Sequence, residues 1–333
     1  MMPSAGKIMN RPVAVYTDID DTDITPGIKL LEDSGFEVRV LGTRDPQEII
    51  AGAQGAEALL PGYSEVTREV IEALPQLRII ALMSMGTNTV DLRAAKEHSI
   101  WVTNILGRAT EEVGTHTLAI ILAMLRQLDY YQANANPTRW NLRAENPPPR
   151  LSELTLGIVG LGRTGQELAR VAAPLFNEIF GYDPIQQSNL ATGLNLPSIA
   201  RMPLDDLIGT ADVLSLHLPL TPSTESLVDT GFLNKMKPCS YLVNASRGGL
   251  IDENALATAL DQGHLAGAAL DVLSEEPPPL NHPLVGRPDV VLTPHIAYYS
   301  AHTVTDYVET QARNVVAFRK HGRPLSPAQE VQT

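Results

Sequence analysis

Three side chains of this 333-residue chain have the types and settings needed to act together: Arg247, Glu276 and His295. Each sits just after an apolar, strand-like run (240–243, 266–272 and 290–293), in a turn rich in glycine or proline. A guanidinium can hold a carboxylate through two parallel hydrogen bonds. An imidazole gives up or takes a proton near neutral pH. A carboxylate beside that imidazole orients it and favours its charged form. Singly, each has an ordinary reading: a surface arginine, a solvated acidic turn, a capped core histidine. Jointly they suit a carbonyl compound that carries a carboxylate and must be protonated as it is reduced.

A source of reducing equivalents is suggested by the stretch Leu154 to Asp183. Its apolar run 154–159 reads as a buried strand. Gly160, Gly162 and Gly165 follow in G-x-G-x-x-G spacing, then a helical pattern with Leu168, Val171, Ala172 and Leu175 on one face. A second apolar run, 179–182, ends at Asp183. Strand, tight turn, helix, strand and acid is the order a dinucleotide site requires. Gly160 allows the turn, Gly162 lets a pyrophosphate approach the backbone, and Gly165 lets helix and strand pack closely. The helix N-terminus offers unpaired N–H groups to the phosphates. Asp183 can accept hydrogen bonds from ribose hydroxyls and would repel a 2′-phosphate, so the cofactor is read as NAD rather than NADP. An ordinary glycine-rich turn and a methyltransferase share part of this pattern. With a dinucleotide present, the arginine, acid and histidine fit hydride transfer to a 2-oxo acid.

The elements that must position these groups form two α/β regions. Residues 12–106 alternate strands (13–16, 36–40, 56–60, 79–82, 101–103) with helices (24–34, 46–52, 67–74, 91–97), which implies a parallel sheet. No glycine fingerprint follows their first strand, so this half is not the cofactor domain. Ser84-Met85-Gly86 follows a strand end, where ligands of such sheets collect. One long helix is expected over 110–131, crossing between the regions, then an extended proline-bearing connection over 134–150. Beyond the fingerprint, strands are expected at 211–217, 240–243, 266–272 and 290–293, with helices at 252–263 and 303–320. Arg247, Glu276 and His295 then belong at one carboxyl edge.

Composition narrows the function classes. The 25 Lys and Arg against 38 Asp and Glu give a net charge of −13. That argues against nucleic acid or an anionic membrane as a main partner. A single cysteine, Cys239, excludes an internal disulfide and a cysteine metal cluster, and no metal is expected. It precedes an apolar run and is expected to be buried and inert. The first twelve residues lack the apolar core of a signal peptide. The longest apolar run, 118–125, is too short to span a bilayer, and a cytoplasmic location is expected.

Four motifs, in order, resemble the D-isomer-specific 2-hydroxyacid dehydrogenases: Gly160-Leu161-Gly162-Arg163-Thr164-Gly165 with Asp183, Val243 to Asp252, Leu270 to Pro277, and Thr293-Pro294-His295-Ile296-Ala297. The resemblance spans nearly the whole chain. It implies two Rossmann-like α/β domains with parallel sheets. The substrate domain would be discontinuous and flavodoxin-like, 1–107 plus 302–333, completed by the C-terminal helix. The NAD-binding domain would be 108–301, and two chains would pair through it as a homodimer. Arg247, Glu276 and His295 would be catalytic, and the substrate a small 2-oxo or 2-hydroxy acid. Its carboxylate would meet Arg247 and the backbone N–H groups near Met85 and Gly86. Leu161, Gly162, Arg163, Thr164, Asp183, Ala245, Ser246, Asp271, Thr115 and the His217-Leu218-Pro219 turn would line the cofactor. Tyr298, three residues past the histidine, is read either as packed on the core or as facing the substrate's side chain. Arg108 and Arg139 are weaker candidates for a distal anionic group.

Within the family, Glu275 to Pro279 and His295 to Ser300 are most similar to the C-terminal-binding-protein-like branch, and Gly86 to Asp91 to the phosphoglycerate dehydrogenases. The chain departs from the family in Ile105-Leu106-Gly107-Arg108, Ser246 and Cys239. The alternatives are therefore an NAD-sensing dimeric binding module, or a phosphoglycerate dehydrogenase that would have no appended regulatory domain.

Overall fold

In the computed structural model, residues 11–19, 22–105, 107–140, 143–144, 146–184 and 199–328 are described. Leu106 and most of the amino-terminal stretch considered above lie outside them. The chain divides into two units, Met1–Arg108 with Ser300–Thr333, and Ala109–Tyr299.

The first unit alternates β1 (Val13–Tyr16), α1 (Thr25–Asp33), β2 (Glu37–Val40), α2 (Pro46–Gly52), β3 (Ala56–Leu60), α3 (Arg68–Ala73), β4 (Ile79–Ala81), α4 (Leu92–Glu97) and β5 (Trp101–Thr103). All pairings are parallel, in the order β2-β1-β3-β4-β5. Central strands of such a sheet are covered on both faces, and β1, β3 and β4 are accordingly apolar apart from Glu57 near the start of β3. One face packs Ile49, Val70, Ile71, Ala94 and Ala95 against it. The other packs Leu31 with Val308, Ala312 and Val315 of the last helix, α11 (Ala301–His321), so the chain returns to complete this core. Gln311 of α11 donates to the carbonyls of Pro61 and Ala81, at 3.0 and 2.8 Å, and ties the ends of β3 and β4 together.

The second unit runs α5 (Thr110–Leu125), α6 (Leu128–Asn134), β6 (Thr155–Val159), α7 (Arg163–Ala172), β7 (Glu178–Tyr182), β8 (Ala200–Arg201), α8 (Leu204–Thr210), β9 (Val213–Leu216), α9 (Thr230–Lys235), β10 (Ser240–Asn244), α10 (Glu253–Asp261), β11 (Leu265–Leu270) and β12 (Val290–Leu292). Its strands are all parallel, in the order β12-β11-β10-β9-β6-β7-β8. From β6 the chain steps outward to β7 and β8, then returns to β9 on the other side. The gap between β6 and β9 is thus the point where strand order reverses, and ligands of open α/β sheets bind there. α5 and α7 cover one face, and α8, α9 and α10 the other.

Two expectations are corrected. The helix foreseen over 110–131 is two helices, because Gln127 between them adopts a left-handed φ of 54° and ends the first. Cys239 is exposed, not buried. It holds a turn position with φ 61°, and its N–H donates to the His264 carbonyl at 2.7 Å. Arg139 bonds Asn134 and Arg108 pairs with Asp306, so both arginines have local partners.

Candidate active site

The β6–α7 turn has the physical features a pyrophosphate needs. Gly160 has φ 102°, and a Cβ there would meet the His217 carbonyl oxygen at 2.5 Å. A Cβ on Gly165 would collide with the Gly160 carbonyl. Around Gly162, by contrast, a Cβ would meet nothing within 4 Å, which leaves open space over the turn. Gly162 is the N-cap of α7 and supplies no side-chain cap, so the first-turn N–H groups face that space. Arg163 opens the helix and is exposed. Asp183 follows β7 directly, and its Oδ2 accepts the Leu161 N–H at 2.7 Å. The turn and its acid therefore fit a dinucleotide.

His217, at the end of β9, fastens the switch point. Its ring nitrogens lie 3.0 Å from Ser215 Oγ and 3.2 Å from Thr164 Oγ1, in the first turn of α7. Burial lowers its pKa from 6.5 to about 4, so it is a neutral bridge. Thr115, Pro219 and Ala245 lie in this unit too. The Thr115 hydroxyl bonds its own helix carbonyls, Pro219 is exposed, and Ala245 is buried.

Arg247, Glu276 and His295 follow β10, β11 and β12, three adjacent parallel strands, so all three leave from one carboxyl edge. The buried Asn244 shapes the first loop. Its amide donates to the Arg247 carbonyl at 2.8 Å and its oxygen accepts the Ser246 N–H at 3.0 Å. Ser246 Oγ donates to the Leu216 carbonyl at 2.8 Å. The Arg247 guanidinium donates to the Ser246 carbonyl at 2.6 Å. A Cβ on Gly248 would collide with the Leu273 backbone, so glycine alone lets this loop pack against the one carrying Glu276.

The Glu276 and His295 side chains meet. His295 Nδ1 lies 2.6 Å from Glu276 Oε2, and Glu276 Oε1 accepts the Leu273 N–H at 2.9 Å. Burial pushes the Glu276 carboxyl up, but the hydrogen bond and charge of His295 outweigh it and hold the group below its usual range. An ionised carboxylate is an acceptor only, so Nδ1 carries hydrogen. The pair lines a cavity of about 380 Å³ with Asp271, Leu273, Pro277, Leu292 and Thr293. Arg247 is not among the lining residues.

Asp271, expected beside the cofactor, has a buried side chain that organises the histidine turn. Its Oδ1 accepts from Thr293 Oγ1 at 2.5 Å and Ile296 N at 3.0 Å, and its Oδ2 from Ala297 N at 2.8 Å. Tyr298, just beyond, is half-buried and meets Tyr299 edge to face. Met85 and Gly86 belong to the first unit, where their carbonyls accept from Asn104 Nδ2 and Ser84 Oγ at 2.8 and 2.7 Å. Asn244, Thr293 and His116 were not singled out from sequence. An asparagine closing a strand before a turn is a usable signal, since its side chain bonds nearby backbone. His116 offers none.

A family model described as D-isomer specific 2-hydroxyacid dehydrogenase, NAD binding domain, matches residues 118–297. A glyoxylate reductase of Thermofilum pendens is 34% identical over 308 residues, covering 90% of each chain. The chain belongs to the D-isomer-specific 2-hydroxyacid dehydrogenase family. As a family member it is an oxidoreductase of CH–OH groups, and its cofactor is a nicotinamide dinucleotide. A D-3-phosphoglycerate dehydrogenase of Mycobacterium bovis is 35% identical over 294 residues, 88% of this chain but 54% of that protein. The solved NADPH-dependent glyoxylate/hydroxypyruvate reductase of Sinorhizobium meliloti, in complex with NADP and malonate, superposes with a TM-score of 0.85 at 27% identity, covering 96% of this chain and 97% of that one.

Proposed function

We propose that this dehydrogenase uses NADH to reduce a small, unphosphorylated 2-oxo acid to its D-2-hydroxy acid, reversibly. One observation carries the reading: the 2.6 Å His295–Glu276 pair on the carboxyl edge of the sheet whose β6–α7 turn suits a dinucleotide. The bound dinucleotide supplies a hydride to the substrate's C2. His295 gives the proton on Nε2 to the ketone oxygen, Glu276 holds the ring by Nδ1, and Arg247 takes the carboxylate. The second unit is the dinucleotide domain and the first, with Met85 and Gly86, the substrate domain. Tyr298 faces the substrate's side chain.

Asp183 favours NAD, because its charge repels a 2′-phosphate. The glyoxylate reductase name of a relative matched over nine-tenths of both chains supports a short substrate. A homodimer paired through the second unit and a cytoplasmic location complete the reading. Among the described residues no helix is long and apolar enough to cross a membrane.

Absorbance at the reduced-nicotinamide band, with NADH and NADPH against glyoxylate, hydroxypyruvate, longer 2-oxo acids and a phosphorylated one, tests this. NADH is expected to be preferred at least about tenfold, with a short substrate first, since one charge repulsion of about 1.4 kcal/mol gives that factor. Preference for the phosphorylated acid would favour a phosphoglycerate dehydrogenase. Tight NADH binding with no turnover on any acid would favour a dinucleotide-sensing module.

A further inference from the structure

The turn that carries His295 is held in an unusual backbone state. His295 has φ 54°, in the left-handed region that residues with a Cβ seldom enter. Its N–H donates to the Asp271 carbonyl at 2.7 Å and the Thr293 carbonyl at 3.0 Å. The Asp271 carboxylate gathers the same turn from the other side, through Thr293, Ile296 and Ala297. Burial pushes that carboxyl up, yet the surrounding donors hold it below its usual range, so it stays an acceptor.

Thr293 has one hydroxyl proton, and at 2.5 Å it is given to Asp271. The same oxygen lies 3.1 Å from His116 Nε2, on α5. Having donated its proton, it can only accept there, so His116 Nε2 must carry hydrogen. That nitrogen also stands 3.4 Å from Asp271 Oδ1. His116 thus adds a donor from a different element to the acid and hydroxyl that shape the histidine turn.

We propose that His116 is a positioning residue for the reduction, holding Thr293 and Asp271 so that the turn presents His295 to its substrate. The proposal rests on the reading of His295 as proton donor. Second donors of this kind around an active group are worth about 10–100-fold in comparable metal sites. The loss expected here is at the low end, because His116 acts through two other residues.

Two substitutions separate positioning from bulk. His116→Leu keeps the volume and removes the donor, and His116→Gln keeps an N–H of similar reach. Expected for His116→Leu is a fall in kcat of about tenfold, with KM for the 2-oxo acid and Kd for NADH within about twofold. His116→Gln should recover most of the rate. Nitrogen-detected spectra of the protein with labelled histidine should show hydrogen fixed on His295 Nδ1 in the wild type, whether or not Nε2 is protonated, and shared between the two ring nitrogens in His116→Leu. Wild-type kcat together with an unaltered His295 spectrum in His116→Leu would overturn the proposal. So would equal losses in both variants accompanied by a matching drop in Tm, which would mark His116 as packing alone. If the wild type reduces no 2-oxo acid, the functional reading fails, while the His295 spectra still decide whether His116 orders the turn.

Discussion

At the scale of single residues, charge geometry rather than charge alone sets the expected behaviour. A lysine at 247 would keep the positive charge but lose the planar fork that grips a carboxylate at two points. Arg247→Lys is expected to raise KM for the 2-oxo acid at least about tenfold while leaving NADH affinity unchanged, measured by initial rates and fluorescence titration. An unchanged KM would remove Arg247 from the substrate. His217 gives a prediction in pH. Its pKa falls from 6.5 to about 4 in the folded chain. Above pH 6.5 both folded and unfolded chains carry it neutral. As pH drops from 6.5 towards 4 the unfolded chain takes up a proton that the folded chain refuses, so stability is lost. The site's share is about 3 kcal/mol. Denaturant midpoints across that window should fall less steeply in His217→Gln than in the wild type.

At the scale of elements, the turn into α7 separates binding from folding. Gly162 has a φ of −70° and open space where a Cβ would stand. Gly162→Ala should therefore leave Tm within about 2 °C yet weaken NADH at least about tenfold, because the methyl group occupies the pyrophosphate's approach. An equally tight variant would mean the phosphates lie elsewhere. This turn was readable because local rules and tertiary need coincide there: glycine spacing, an apolar run on each side, and an acid at the second strand's end. The strands β9 to β12 were readable as short apolar runs, so the common edge of Arg247, Glu276 and His295 followed. The helices α8 and α9 were not, being short, with Asp229 the one side-chain cap between them. The break at Gln127 was hidden as well, since nothing in its neighbours demands a left-handed residue. For Asp271 the resemblance implies a place beside the cofactor and says nothing of its own hydrogen bonds. Only the placement of Thr293, Ile296 and Ala297 around it reveals that its oxygens serve the histidine turn.

At the scale of the molecule, each unit buries its own two-faced core. The second unit also leaves Leu128, Tyr130 and Trp140 exposed. Trp140 is 76% exposed, a large apolar surface for a partner to cover. If two copies pair through this unit, Trp140→Glu should shift sedimentation towards the monomer at micromolar concentration. An unaltered dimer would place the contact elsewhere. The return of α11 to the first core has a consequence for biosynthesis. Residues 109–299 are contiguous and can collapse as soon as they leave the ribosome, whereas the earlier-made half waits for Val308, Gln311, Ala312 and Val315 to emerge. The segment translated first is finished last, and until then the apolar face of β1, β3 and β4 that α11 will cover is the part of the nascent chain most in need of a chaperone.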